Sequence, residues 1–471
     1  MTTSIQFWDF EVWEFLVALA GLFLAMLIAN GLRRTIPFLK KSLIPSSVIG
    51  GFLILAFIGI FRAISGKTPF NTATMEMLTY HGLGLGVVAM TFQNADRRSG
   101  KEARRDVFNS SLITVSTYLL QGVVGLCITI VLFYLLGSWA QSGILLPMGY
   151  GQGPGQAFTW GTTYMNNYGF EHGSSFGLSV AACGFIAASI GGVIYLNLAS
   201  RKGKKRSANA EEQEDLTAAV ITTRGEIPLS ESLDKLTVQF ALVFTAYGLA
   251  YLMMLGLSAL CDLGGGFFVN TVKPLIWGFN FLFGMLAATI IKSYFKIGKK
   301  AGFVHRSYTN DFLLTRISGL MFDLMVVASI ASIDLSAFRY REFWIPLLLI
   351  CIAGGVISYF YVRFISRKFF AGYADEQFLV MYGMLTGTVS TGLILLREVD
   401  PLFKTPAANN VIYQNLWSIL LGAPMLLLMG VVAQSMQMTF LTLGILIALL
   451  GLMLVLLFRS KIFRKKQKTA E

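Results

Sequence analysis

The sequence predicts an all-α polytopic membrane protein: two inverted five-helix repeats, each with a re-entrant hairpin, plus one extra C-terminal helix. Three observations carry this. The chain has 471 residues, 55% of them hydrophobic and only 13% charged, and its mean hydropathy is +0.65, whereas a soluble protein carries roughly 25% charged residues. About eleven segments are apolar over the ~20 residues that one helical crossing needs. A single charged, aromatic-poor stretch, residues 201–235, divides them into five and six, so the two halves enter the bilayer from opposite sides.

The first repeat, 1–200, holds spans near 11–31, 43–61, 74–93, 107–136 and 173–199. The second, 236–435, holds spans near 236–261, 273–295, 312–335, 343–365 and 409–434. The stretch 201–235, with Glu211-Glu-Gln-Glu-Asp215, reads as a flexible cytosolic linker. Residues 436–471 add a span that is apolar on all sides and a basic tail.

Orientation follows from lysine and arginine. The net charge of +13 is gathered in short runs between apolar segments, as positive-inside loops are, and so does not point to nucleic acid. Arg33, Arg34, Lys40 and Lys41 follow span one, Arg97 to Arg105 span three, and Arg201 to Arg206 span five. The intervening loops are sparse in positive charge. This puts the N-terminus outside and the C-terminus in the cytoplasm. The start, Met1 to Trp13, lacks a basic leader, so span one is expected to serve as its own insertion signal. The four cysteines and three histidines have no metal-ligand spacing, and no nucleophile–base pair suggests an enzyme.

Between spans four and five lies Leu146-Pro-Met-Gly-Tyr-Gly-Gln-Gly-Pro-Gly-Gln-Ala-Phe-Thr-Trp-Gly161, with five glycines and two prolines and no charge from Ser138 to Phe170. That is too much glycine and proline for a stable spanning helix. Unpaired backbone at bilayer depth is tolerated only where it is enclosed by protein or lines a wet cavity. A hairpin at about 142–164 that dips in and returns meets the requirement; an ordinary extracytoplasmic loop is the plainer reading. Inversion then demands a counterpart between spans nine and ten. That place holds Gln377 to Arg397, with Gly383, Gly387 and Gly392 and hydroxyls at Thr386, Thr388, Ser390 and Thr391. One extra spanning helix would instead put the basic tail outside, against the charge rule.

Hairpin tips bind ions through unwound carbonyls and anions through the N–H groups of a half-helix N-terminus. The candidates are therefore Gly151, Gln152, Gly153, Gly155, Gln156 and Thr159 in the first hairpin. In the second they are Thr386, Gly387, Thr388, Ser390, Thr391 and Gly392. Ser and Thr in such helices also bond to their own backbone. Asp323, within apolar Ile317–Ala328, costs about 2.5–3.5 kcal/mol at mid-membrane on insertion scales; it is either a cation ligand or proton carrier, or a structural partner of Arg316. Asn310 and Asp311 read as caps, His81 as a structural hydrogen-bonder beside Tyr80, and Gly82, Gly84 and Gly86 as packing positions.

The chain resembles the glutamate:sodium symporter family. The resemblance lies in Phe38-Leu-Lys-Lys-Ser-Leu-Ile-Pro-Ser-Ser-Val-Ile-Gly-Gly51, in Gly149 to Trp160, in Tyr168-Gly-Phe170, and in Ala181-Ala-Cys-Gly-Phe-Ile-Ala-Ala-Ser-Ile-Gly-Gly192. Where that family has Gly-Gly-His-Gly-Thr-Gly-like sequence, this chain has Gly149-Tyr-Gly-Gln-Gly-Pro-Gly155, and its second hairpin is richer in hydroxyls and poorer in glycine. The resemblance implies sodium-coupled uptake of a small anionic substrate such as glutamate across a bacterial plasma (inner) membrane, with Na+ as coupling ion and no other cofactor. Membrane lipid surrounds the protein, and a homodimer is one arrangement open to it. A bundle containing both hairpins would alternate its access against a scaffold of the remaining spans. A passive channel or a substrate-sensing membrane protein on the same scaffold is the alternative.

Overall fold

The computed structural model describes residues 7–93, 100–201, 234–266, 268–303, 306, 308–400 and 404–468. Among these the chain is helical, with no strand. In order they form α1 (Phe10–Thr35), α2 (Pro37–Ser42), α3 (Ser46–Ser65), α4 (Thr72–Phe92) and α5 (Lys101–Leu136). A 3₁₀ turn (Ala140–Ile144), the three-residue α6 (Leu145–Pro147) and a π-helical turn (Met148–Gln152) lead into α7 (Pro154–Tyr168) and α8 (Gly173–Arg201). The second half begins with α9 (Lys235–Asp262), a π-helical turn (Phe268–Val272), α10 (Lys273–Gly278), α11 (Asn280–Ala301) and α12 (Asp311–Ala331). It continues with α13 (Arg341–Phe369), α14 (Ala374–Thr386), α15 (Val389–Arg397), α16 (Ala407–Tyr413), α17 (Asn415–Val432) and α18 (Met436–Lys468). The expected linker, apart from its ends, lies outside the described residues.

Nine of the described helices are long and apolar enough to cross a membrane, which makes the chain a polytopic membrane protein. Two expected spans are less regular than their apolar patterns suggest. The region 273–295 is divided between α10, which opens with Pro274 in its first turn, and α11. The region 409–434 is the pair α16 and α17, bent by 52°; within α16 the Asn410 side chain donates to Tyr373 Oη and Gln377 Oε1, both at 3.0 Å. The expected span 74–93 is present as α4 but does not meet the same apolarity standard. More than half of its residues are buried against protein, where lipid-grade hydropathy is not needed.

The described residues divide into two compact units, each drawing on both halves of the sequence. The first comprises residues 7–22, 70–93 and 234–329. Its core joins α4, α9, α11 and α12 through Val88, Ala89, Phe92, Ala246, Ala250, Ala287, Ala288 and Leu314. Lipid is as apolar as these side chains, so close packing and interhelical hydrogen bonds hold such helices together. A Cβ at Gly82 would come 2.9 Å from Met325 Cβ, and those at Gly84 and Gly86 would enter the rings of Tyr247 and Phe322. These are packing positions, as their spacing suggests. His81 Nδ1 lies 3.0 Å from Tyr247 Oη, a structural bond, and Asn310 Oδ1 caps α12 by accepting the Leu313 N–H at 2.9 Å.

The second unit comprises residues 23–69, 100–201 and 330–468 and is organised around α5, whose 36 residues exceed a single crossing. Gly125 of α5 and Gly143 of the following 3₁₀ turn meet backbone to backbone, as do Gly161 of α7 and Gly173 of α8. All of the glycine-rich stretch 146–161 and all of 377–397 belong to this unit.

Candidate functional site

Both glycine-bearing stretches form helix–break–helix elements. In the first, Met148–Gln152 winds as a π-helical turn and stops because Pro154 has no N–H with which to continue it. Pro154 then occupies the first turn of α7, where a missing N–H costs nothing. Gly153 between them has φ +89° and ψ −179°, a region essentially confined to glycine. In the second, α14 ends at Thr386 and α15 starts at Val389. Thr388 caps α15: its Oγ1 accepts the Thr391 N–H at 3.4 Å and lies 3.2 Å from Thr391 Oγ1.

The two breaks adjoin. A Cβ built on Gly153 would lie 3.7 Å from Thr388 Cγ2 and 4.0 Å from the Gly387 carbonyl oxygen. The N-termini of α7 and α15, each with first-turn N–H groups lacking intrahelical partners, are therefore neighbours and bring two positive helix ends together. The carbonyl ends of the Met148–Gln152 turn and of α14 arrive at the same place.

Small residues on α8 make the approach possible. Gly184 faces the Thr386 carbonyl so closely that a Cβ would overlap it, and the same Cβ would lie 3.0 Å from Tyr150 Cδ1. Gly177 faces the backbone of Ala157, and Gly191 the ring of Tyr382. The run Ala181–Gly192 is thus the surface on which both breaks rest. Tyr150 is fully buried and donates to the Cys351 carbonyl at 2.6 Å, joining the first break to α13.

From α5, Tyr118 Oη donates to the Gly151 carbonyl at 3.0 Å. One turn on, Gln121 Nε2 donates to the Leu385 carbonyl at 3.0 Å and to Ser358 Oγ at 2.8 Å. A single helix face therefore holds a carbonyl from each break. Below α14 a second polar chain runs from Asp106 to Tyr373 Oη (2.7 Å), on to Asn410 and Gln377, and to Ser110 (3.1 Å). Tyr373 lies outside the spans, and burial first, then its bond to Asp106, push its hydroxyl above the usual range for tyrosine.

The residues singled out from sequence divide by position. Gly151, Gln152, Gly153, Gly155 and Gln156 border the first break, and Thr386, Gly387, Thr388, Ser390 and Thr391 the second. Thr159 Oγ1 donates to the Gly155 carbonyl at 2.9 Å and Thr386 Oγ1 to the Tyr382 carbonyl at 2.7 Å, both within their own helices. Gly392 packs against the backbone of Val380 and Gly383, closing α15 onto α14. Ser390 is exposed and Gln152 half-buried. Asp323 stands apart from these in the chain's organisation: it is exposed on α12, in the first unit, and Arg316 lies over the Phe312 ring at 5.1 Å.

Sequence reasoning missed Tyr118, Gln121, Tyr150 and Gly184. Gln121 had a usable signal, a carboxamide in the middle of an apolar span; Tyr118 and Tyr150 had none beyond being tyrosines.

Residues 12–366 match the sodium/glutamate symporter family. The match includes the first break and α8 and ends before the second break. The chain is also similar to the sodium/glutamate symporters of Escherichia coli (strain K12) and Shigella flexneri, 26% identical to each over 183 residues. That stretch is 38% of this chain and 42% of either relative, so the likeness spans less than half of their length. With three quarters of its residues inside the family match, the chain belongs to the sodium/glutamate symporter family.

Proposed function

We propose that the protein is a secondary active transporter that couples inward sodium movement to uptake of a small carboxylate, glutamate by family. The observation that carries this is the contact of two helix breaks at Gly153 and Thr388. Two helix N-termini offer N–H groups and positive dipole ends to a carboxylate. The carbonyl ends on the other side of each break offer neutral oxygens to sodium. Asp323 is a separate candidate for a cation or proton on α12.

Both breaks belong to one compact unit, an arrangement that suits alternating access by a bundle carrying both. The breaks act as tips of re-entrant hairpins in two inverted repeats, with the N-terminus outside and the C-terminus in the cytoplasm of an inner membrane. Each net positive charge carried inward gains about 2.3 kcal/mol per 100 mV of membrane potential.

The test is glutamate uptake by the full chain in proteoliposomes, with and without an inward sodium gradient, beside a panel of dicarboxylates and amino acids. Sodium-dependent accumulation of glutamate is expected. Sodium-dependent accumulation of another solute keeps the mechanism and changes the substrate; no accumulation of any solute overturns the reading.

A further inference from the structure

We propose that Gln121 is a sodium-binding residue of this site, with its side-chain oxygen as a ligand beside the second break. The inference rests on the sodium-coupled reading above and goes further by naming a ligand on a helix outside both breaks.

Gln121 is fully buried in α5. Its Nε2 is held by two acceptors, Ser358 Oγ at 2.8 Å and the Leu385 carbonyl at 3.0 Å. Its Oε1 is also buried and accepts no hydrogen bond among the described residues. Rotating the amide by half a turn would set Oε1 against the Leu385 carbonyl, acceptor to acceptor, so the hydrogen-bond network fixes which atom is the oxygen. A buried acceptor left without a donor is costly and calls for an occupant.

The surroundings select a cation. Leu385 is in the last turn of α14, where carbonyls lack intrahelical partners and the helix dipole is negative. Among the described residues no group of three or more His, Cys, Asp or Glu side chains could hold a metal ion. The Oε1 of Gln121 is a neutral oxygen, the kind of ligand that suits a hard ion. Tyr118, one turn earlier, contacts the Gly151 carbonyl, so a cation at Gln121 is sensed at both breaks through one helix face.

Purified full-length protein is tested for 22Na+ binding without glutamate, and the sodium dependence of uptake is measured in proteoliposomes. In Gln121→Leu, sodium affinity is expected to fall about tenfold or more, the range for losing a contact to a charged group. The glutamate KM at saturating sodium should stay within about threefold of wild type, because ground-state substrate contacts are retained. Ser358→Ala, which keeps the Gln121 amide and its Oε1, should retain sodium binding.

If wild type and Gln121→Leu bind sodium equally, the inference is overturned and the symport reading stands. If wild type binds no sodium, the inference is overturned, and the symport reading falls with it only if sodium-dependent uptake is absent as well. Ser358→Ala guards against a folding defect, since it loosens the amide without removing Oε1. A purely structural role for Gln121 would lower thermal stability in both variants and leave the sodium concentration for half-maximal binding unchanged, which also overturns the inference.

Discussion

The Tyr118 hydroxyl donates to the Gly151 carbonyl at 3.0 Å from a ring that leaves no room for a side chain at 151; a Cβ there would overlap Cε1. Gly151→Ala must therefore displace either the ring or the π-helical turn. Overpacking of this kind costs about 1–3 kcal/mol. The expected outcome is loss of uptake with the protein still inserted. Gly151→Ala combined with Tyr118→Ala should recover part of it, because the second change removes the ring. Uptake of the single and double variants at matched membrane levels checks this, and a double variant no better than Gly151→Ala would refute the steric account.

Gly153 differs in kind from Gly151. The nearest atom to a Cβ there is 3.7 Å away, ordinary contact, so the obstacle to substitution is its φ of +89°. Holding alanine in such a conformation costs about 1–3 kcal/mol. Gly169 has φ +72° and open space around it, and it ends α7 away from the break. Both alanine variants should lower thermal stability, Gly153→Ala the more, because the left-handed α conformation of Gly169 is one that other residues do adopt. Only Gly153→Ala should lower uptake, by about tenfold or more if the strain is relieved by moving the break. Equal uptake by the two would mean that the break geometry is not part of the site.

Much of this arrangement is legible in the sequence. Glycine and proline density locates the first break because those residues act locally: Pro154 removes a donor and Gly153 takes a conformation other residues avoid. The expectation of a counterpart between spans nine and ten points to 377–397, where the helix is broken between Thr386 and Val389 although the glycines are fewer. What the sequence does not disclose is which polar groups converge. Tyr118 and Gln121 lie on an apolar helix far along the chain from Leu385, and only packing brings them together. The break in 273–295 and the bend in 409–434 are hidden for a related reason. Apolarity reports that a segment suits lipid, and it is nearly silent on whether tertiary contacts interrupt the helix.

Gly184 shows how a small-residue position acts at a distance in sequence. A Cβ there would meet both the Thr386 carbonyl and the Tyr150 ring, one from each helix–break–helix element. Gly184→Val should separate α8 from both and impair uptake more than Gly248→Val on α9, where a Cβ would meet nothing within 4 Å. Thermal unfolding in detergent should follow the same order, with a difference of about 1–3 kcal/mol from overpacking. Equal effects at the two glycines would show that the breaks do not depend on close approach to α8.

Asp334, beyond the end of α12 at Ala331, joins the ends of α3 and α8 to the turn that follows it. Its backbone N–H donates to Ser175 Oγ at 2.9 Å, and its carboxylate accepts from Ser336 N–H (2.9 Å) and Oγ (2.6 Å). His172 Nδ1 is 3.4 Å away and Arg62 3.8 Å. Burial pushes this carboxyl upward, but the Ser336 bonds, His172 and Arg62 outweigh it and hold the group below the usual carboxylate range. A pKa lowered by folding stabilises the native state above the unfolded value, about 3.9 for aspartate, and that stabilisation is lost as pH falls through the folded value. Wild type should therefore melt above Asp334→Asn at neutral pH, by a margin that holds down to about pH 5 and shrinks below about pH 4. Arg62→Ala should have little effect at any pH, because exposed ion pairs contribute about 0–1 kcal/mol. Melting curves in detergent between pH 3 and pH 7 check both statements, and a wild-type margin over Asp334→Asn that stays constant to pH 3 would show that the Asp334 charge does not stabilise this junction.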